Sequence, residues 1–185
     1  MNDLILLAAL LDGPKHGWVL KKLGGWVTGQ AQMHNNLVYP MMKKFVAQRW
    51  VKRRSEPGNR GQTRSVYSLT ARGKQELFRR LSQFDGKQSA SASEFRLRVG
   101  LFGILGPDGR SRILAERNAW LSDREAHFVT MQKDLESTHP TIWGLEVVRF
   151  LLAEVRSERK WISQLEKKAA QLSDSGFNAT KSAGR

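Results

Sequence analysis

The stretch from Asn35 to Leu69 limits the possible folds most, because its side-chain period changes from helical to alternating within it. Val38, Met42, Phe45 and Val46 recur at helical spacing and give one apolar face. Asn36 can cap this helix, since its side-chain oxygen can accept a free first-turn N–H. Pro40 has no N–H to donate and belongs in the first turn, which sets the start near Asn36. Leu37, Tyr39, Pro40, Lys43, Lys44 and Gln48 are left on the outer side. Two extended runs follow, Trp50 to Arg54 and Thr63 to Leu69, separated by the turn-forming Pro57-Gly58-Asn59-Arg60-Gly61. In the second run Tyr67 and Leu69 alternate with Ser68, as in a half-buried strand. A short helix with a polar outer face beside a basic hairpin suits a major groove and its flanking phosphates. The expected unit is a winged helix-turn-helix.

Several residues carry a family resemblance. His16-Gly17-Trp18 looks like the His-Gly-aromatic start of the second helix in PadR-type regulators. Val38-Tyr39-Pro40-x-Met42-x-x-Phe45 is similar to their Leu-Tyr-Pro-x-Leu-x-x-Leu recognition helix, and Tyr67-x-Leu69-Thr70-x-x-Gly73 resembles their strand-to-helix close. Asn36-Leu37 stands where the family has Gly-Thr, and Arg49 where a Gly is common. The resemblance, over residues 4–81, implies a DNA-binding regulator. It also implies a helical C-terminal domain for dimerisation, and relatives that respond to phenolic acids or flat hydrophobic drugs.

Charge agrees with a polyanion partner. The chain carries 31 Lys and Arg against 17 Asp and Glu, net +14, and the excess is uneven. Residues 1–85 hold 15 basic and 5 acidic side chains, while residues 86–185 hold 16 and 12. A basic head on a balanced scaffold follows. There are no cysteines, so disulfides and thiolate metal sites are excluded. The longest apolar run, Leu4 to Leu11, is too short to span a membrane, and its flanks do not match a signal peptide. A cytoplasmic protein without membrane partners is expected.

Residues 3–12 read as a helix apolar nearly all round, which needs cover on more than one face, from a second subunit or from C-terminal helices. Lys15 to Thr28 is the next helix, presenting Trp18, Val19, Leu23, Trp26 and Val27. Gly24-Gly25 within it marks either a close helix crossing or a break. Thr70 can cap a helix carrying Leu77, Phe78, Leu81 and Phe84. Residues 1–85 are thus the winged-helix DNA-binding domain, and the small, polar residues 86–93 a linker.

The fold class expected is mostly α with a small β-wing, the winged helix-turn-helix being followed by a helical dimerisation domain over residues 94–172. In that domain the glycines at 100, 103, 106 and 109 do not continue into a phosphate loop, and close packing with a turn is the reading they favour. Leu114, Leu121, Phe128 and Leu135 fall seven apart, with Met131 between the last two. After a turn at Thr138 to Thr141, Leu145, Val148, Leu152, Val155 and Ile162 form a second seam. Two long helices therefore make an antiparallel hairpin. Leu151, Trp161 and Leu165 add a further stripe that a lone hairpin leaves uncovered, so a homodimer is inferred. Residues 173–185 read as a disordered tail.

The DNA-binding candidates are Asn36, Tyr39, Lys43 and Lys44 on the recognition helix, with Arg53, Arg54, Arg60, Gln62 and Arg64 on the wing. The cations would neutralise phosphates, and Asn36 or Tyr39 could meet a phosphate or a base edge. A solvated charged face is the bland alternative. Trp120, Trp143 and Trp161 could stack a planar aromatic effector, with Arg117 or Arg159 meeting its carboxylate; interface packing is the alternative use. His16, His34, His127 and His139 are scattered, without metal spacing. No nucleophile context is present, so neither an enzyme nor a cofactor is expected. A ligand-responsive repressor on a pseudo-palindromic operator is the favoured function. The rival is a structural or RNA-binding protein that reads nucleic acid by shape.

Overall fold

The computed structural model describes residues 1–28, 32–57, 63–137 and 142–171, with side chains at all but 26–28. The expectations for Trp26, Val27, Arg60, Gln62, the turn at 138–141 and the tail from 173 lie outside the described residues or side chains. The chain divides into two compact units, Met1–Gln83 and Phe84–Arg185.

The first unit opens with α1 (Asn2–Ala8), shorter than the expected helix over 3–12. Leu10 and Leu11 donate to carbonyls three residues back, which tightens the chain into a turn that Gly13 ends at φ +119°. Leu4, Ile5, Leu6 and Leu7 are all buried within the single chain, where α1 packs with α2 (Gly17–Thr28) and α4 (Ala71–Ser82). The all-round apolar helix therefore needs no second subunit for cover. Asp3 and Arg80 pair across α1 and α4.

Lys15 and His16, expected as the first turn of the second helix, instead form a short strand, β1 (Lys15–His16). The wing strands are β2 (Val51–Pro57) and β3 (Thr63–Leu69). They give an antiparallel sheet of order β1-β3-β2, with Lys15 opposite Tyr67 and Val51 opposite Leu69. Val66 and Tyr67, successive residues that point to opposite faces of the central strand β3, are both buried, while Leu69 is only half-buried. The simple alternation expected for this strand therefore does not hold.

In the second unit the expected linker is folded. Residues 86–89 form a helical turn, α5 (Gly86–Ser89), and α6 (Ala92–Gly100) follows with Ser91 accepting from the Glu94 N–H. Two buried arginines pin this segment. Arg98 of α6 donates to Gln88 Oε1 and Glu94 Oε2, and Arg117 donates to the Ser89 carbonyl. Small polar residues read as linker because the arginines that order them lie elsewhere in the sequence.

A 3₁₀ turn (Phe102–Ile104) leads to α7 (Pro107–Ser137), which has proline at its first position, where no N–H partner is needed. With α8 (Ile142–Gln171) it forms the expected pair of long helices. Leu114, Leu121 and Phe128 bury against a seam of Val148, Leu152, Val155 and Ile162, as the two periodicities require. Leu135, Met131 and Leu145 are half-buried. The close-packing reading of the glycines fails: a Cβ at Gly100, Gly103 or Gly106 would meet nothing within 4 Å.

Candidate nucleic-acid interface

The recognition helix is α3 (Asn35–Ala47). It buries Val38, Met42 and Phe45 and turns Asn36, Tyr39 and Lys43 outward at steps of three and four, with Lys44 beside them. His34, not Asn36, occupies the cap position, and both Leu37 and Val38 donate to its carbonyl at 3.1 and 3.2 Å. Asn36 makes no capping bond, and Pro40 falls inside the second turn rather than in the first. The proline deprives the Asn36 carbonyl of its partner four residues on, on the exposed side of the helix.

Tyr39 is 44 % exposed, and its ring lies against Gly17, where an added Cβ would sit 3.0 Å from Cε1. The His-Gly and Tyr-Pro motifs thus meet in space, and any larger residue at Gly17 would press on the tyrosine ring. At the other end α3 closes in a Schellman motif. Trp50 N–H reaches the Phe45 carbonyl at 2.9 Å and Arg49 N–H the Val46 carbonyl at 3.0 Å, while the Phe45 and Trp50 rings pack 5.7 Å apart. Arg49 takes the left-handed conformation, φ +59°, which explains why glycine suits that position.

The third motif locks the wing to α4. Thr70 caps α4 by accepting from Gly73 N–H at 2.9 Å, and its hydroxyl lies 2.8 Å from the Arg49 carbonyl and 2.9 Å from that of Trp50. A Cβ at Gly73 would lie 2.0 Å from the Trp50 carbonyl oxygen.

The wing cations do not share one face. Pairing of Arg53 with Tyr67, Arg54 with Val66 and Glu56 with Arg64 places Arg54 and Arg64 together and Arg53 opposite. Arg53 Nε donates to Ser65 Oγ at 2.9 Å, and Arg54 is tied to Glu56 at 2.5 Å. Lys43, Lys44 and Arg64 have no carboxylate partner among the described residues. The same holds for Lys52, exposed on the Arg54 face, which the sequence reading passed over although strand alternation could have found it.

In the second unit Trp120 and Trp161 line one cleft of about 610 Å³. Trp143 is 80 % exposed and lies five turns away along α8, so it does not join them. Arg117 lines the cleft but is buried and engaged by Glu158 through two bonds of 2.9 Å. Arg159 pairs with Glu125 and Asn118, apart from the tryptophans. The hydrogen bond from Arg156, and then that from Arg159, holds the Glu125 carboxyl below its ordinary range. Neither expected arginine is therefore available to a ligand carboxylate. Arg96 and Arg124 line the cleft without a carboxylate partner among the described residues. Arg124 lies four residues after Trp120 on α7, a helical step that was visible in the sequence.

Among the described residues no group of three or more His, Asp or Glu could hold a metal ion, and no helix is long and apolar enough to cross a membrane. A recognition helix packed on α2 and followed by a basic hairpin defines the winged-helix class, whose members bind DNA. Residues 6–79 match the transcriptional regulator PadR-like family, and the chain belongs to that family. Its members are transcriptional regulators.

No curated protein sequence matches the chain. Among solved structures it is similar to a candidate transcriptional regulator from Thermoplasma acidophilum, at 31 % identity over 42 % of this chain and 72 % of that one, TM-score 0.39. Bacillus subtilis PadR in complex with operator DNA is 17 % identical over 90 % and 96 % of the two chains, TM-score 0.43. The same protein in complex with p-coumaric acid is 17 % identical over 91 % and 94 %, TM-score 0.40. The family assignment stands on the sequence match, not on these superpositions.

Proposed function

We propose that the chain is a cytoplasmic, homodimeric repressor that places two α3 helices in successive major grooves of a pseudo-palindromic operator, about 34–36 Å apart. The observation that carries this reading is the outer face of α3. Asn36, Tyr39, Lys43 and Lys44 are exposed there, and neither lysine is neutralised within the described chain. Lys43, Lys44 and Arg64 act on phosphates, with Arg53, Arg54, Arg60 and Gln62 as further wing contacts; Asn36 and Tyr39 reach a phosphate or base edge. Dimerisation is supported by α8, where Trp143, Val147 and Phe150 expose an apolar stripe at helical spacing. An effector is supported by the cleft holding Trp120 and Trp161, where Arg96 or Arg124 would meet the carboxylate of a planar aromatic acid. Binding there would shift operator affinity only by its preference for one dimer spacing.

The test is recovery of bound DNA from fragmented genome by the full-length chain. A two-fold-symmetric site is expected, and Lys43→Ala with Lys44→Ala should lose it. Recovery without a symmetric site, or equal binding to duplex RNA, would overturn the reading.

A further inference from the structure

A second hollow lies elsewhere in the helical unit, between α6, the 3₁₀ turn, the start of α7 and the end of α8, with a volume of about 470 Å³. Val99, Phe102 and Leu165 form its apolar walls, and each is only half-buried. Leu114, Leu121, Val155 and Ile162 of the same hairpin are buried, whereas these three are apolar side chains that the fold leaves partly wet. Gly103 forms part of the wall, and a Cβ there would meet nothing within 4 Å. No close approach of backbone requires a glycine at this position, and its effect is to keep the hollow open.

Two cations face the same space. Arg110 Nε donates to the Phe102 carbonyl at 2.8 Å, which fixes the guanidinium plane and leaves its two terminal nitrogens. Neither Arg110 nor Lys168 has a carboxylate partner among the described residues. Lys168 also suits the last turn of α8, where the helix dipole favours a cation, so Arg110 carries most of the charge argument. A fixed guanidinium above half-covered hydrocarbon walls matches a ligand with an anionic head and an apolar body.

We propose that this hollow is a binding site for a small amphiphilic carboxylate, held by Arg110 and Lys168 at its head and by Val99, Phe102 and Leu165 along its body. The site is separate from the tryptophan cleft and does not depend on the DNA-binding reading.

Calorimetric titration of the full chain with decanoate, decanol and decyltrimethylammonium, all below micelle formation, tests it. Saturable binding of decanoate to one site is expected, with decanol at least about tenfold weaker and the cation not bound. Arg110→Gln should weaken decanoate about tenfold and leave decanol unchanged. Gly103→Leu should abolish binding of both by filling the hollow, with the circular dichroism spectrum retained. If that variant loses its helical spectrum, Lys168→Glu, an exposed change, replaces it and should weaken decanoate alone. Equal affinity for decanoate and decanol would overturn the proposal, as would decanoate binding indifferent to Arg110→Gln.

Discussion

A Cβ added to Gly73 in the first unit would lie 2.0 Å from a backbone carbonyl, whereas one added to Gly100, Gly103 or Gly106 in the second would touch nothing. The contrast runs through the molecule. Gly17 makes room for Tyr39, Gly24 for Met33, and Arg49 holds a left-handed turn between α3 and the wing. Gly73 fits against a backbone carbonyl and Gly17 and Gly24 against side chains, and each place admits few residue types. The helical unit is held by two heptad seams, in which any apolar side chain of suitable size would serve. Close fits of this kind leave named residues in a sequence, and seams leave only a period. That is why three motifs pointed to the first unit, while the second was readable as a pattern.

The largest predicted effect tests this directly. Gly73→Ala should destabilise the first unit by on the order of 4 kcal/mol, because the Trp50 carbonyl is fixed by the Thr70 N–H and cannot move aside. Gly100→Ala should change stability by less than about 0.5 kcal/mol. Urea unfolding of both variants decides the matter. Comparable losses would remove the distinction between the two units.

In the helical unit side-chain identity matters at the buried arginines, Arg98 and Arg117. Arg117→Met should cost about 3 kcal/mol, because Glu158 loses its bidentate partner and the Ser89 carbonyl its donor. Adding Glu158→Leu should recover much of that loss, since an apolar pair of similar volume removes the stranded charge. A double variant no more stable than the single one would show that the Ser89 contact, not the ion pair, holds α5.

On the wing, Arg64→Ala should weaken binding to all duplexes by about 1 kcal/mol and shallow the salt dependence by about one unit. Arg54→Ala should do less, because Glu56 already neutralises that guanidinium. Equal slopes for the two variants would show that Glu56 releases Arg54 on DNA. Arg49→Gly should raise stability by about 1 kcal/mol, read by thermal unfolding, because glycine takes positive φ without strain. No gain would mean that the arginine side chain contributes what its backbone costs.

Most of the fold was legible for physical reasons that differ by element. The α3 stripe and the α7–α8 seams follow from burial at helical spacing, which residue order writes directly. β1 was hidden because two residues carry no period, and α5 because Ser89 contributes a carbonyl, which every residue has. The outer face of α3 was found by subtraction, once its buried side was known. The pairing of the candidate ligand arginines was not legible because pairing is a tertiary fact: Arg117 and Arg159 look as free in sequence as Arg96 and Arg124 do, and only Glu158 and Glu125 separate them.

The smallest predicted effect concerns acid. Glu76 on α4 accepts from Arg79 at 2.7 and 2.8 Å and from Arg80 at 2.6 Å, and Arg80 also reaches Asp3 on α1. Chiefly through the Arg79 bond, opposed by burial and aided by Arg80, its pKa falls from 4.5 to about 2. A carboxylate depressed in the folded state stabilises it above the unfolded value. That contribution is complete above about pH 5 and disappears as pH falls from 4.5 through about 2. Solvent screens the pair, so the gain at neutral pH stays below about 1 kcal/mol. Glu76→Gln should therefore lower the urea midpoint slightly at pH 7, and its curve should merge with that of the unmodified chain by about pH 2. In the helical unit Glu125 joins α7 to Arg156 and Arg159 of α8, so Glu125→Gln should act over an acid window too, but by loosening the hairpin rather than the α1–α4 contact. A Glu76→Gln deficit that stays constant down to pH 2 would show that the side chain acts through packing, and that the α1–α4 contact does not depend on its charge.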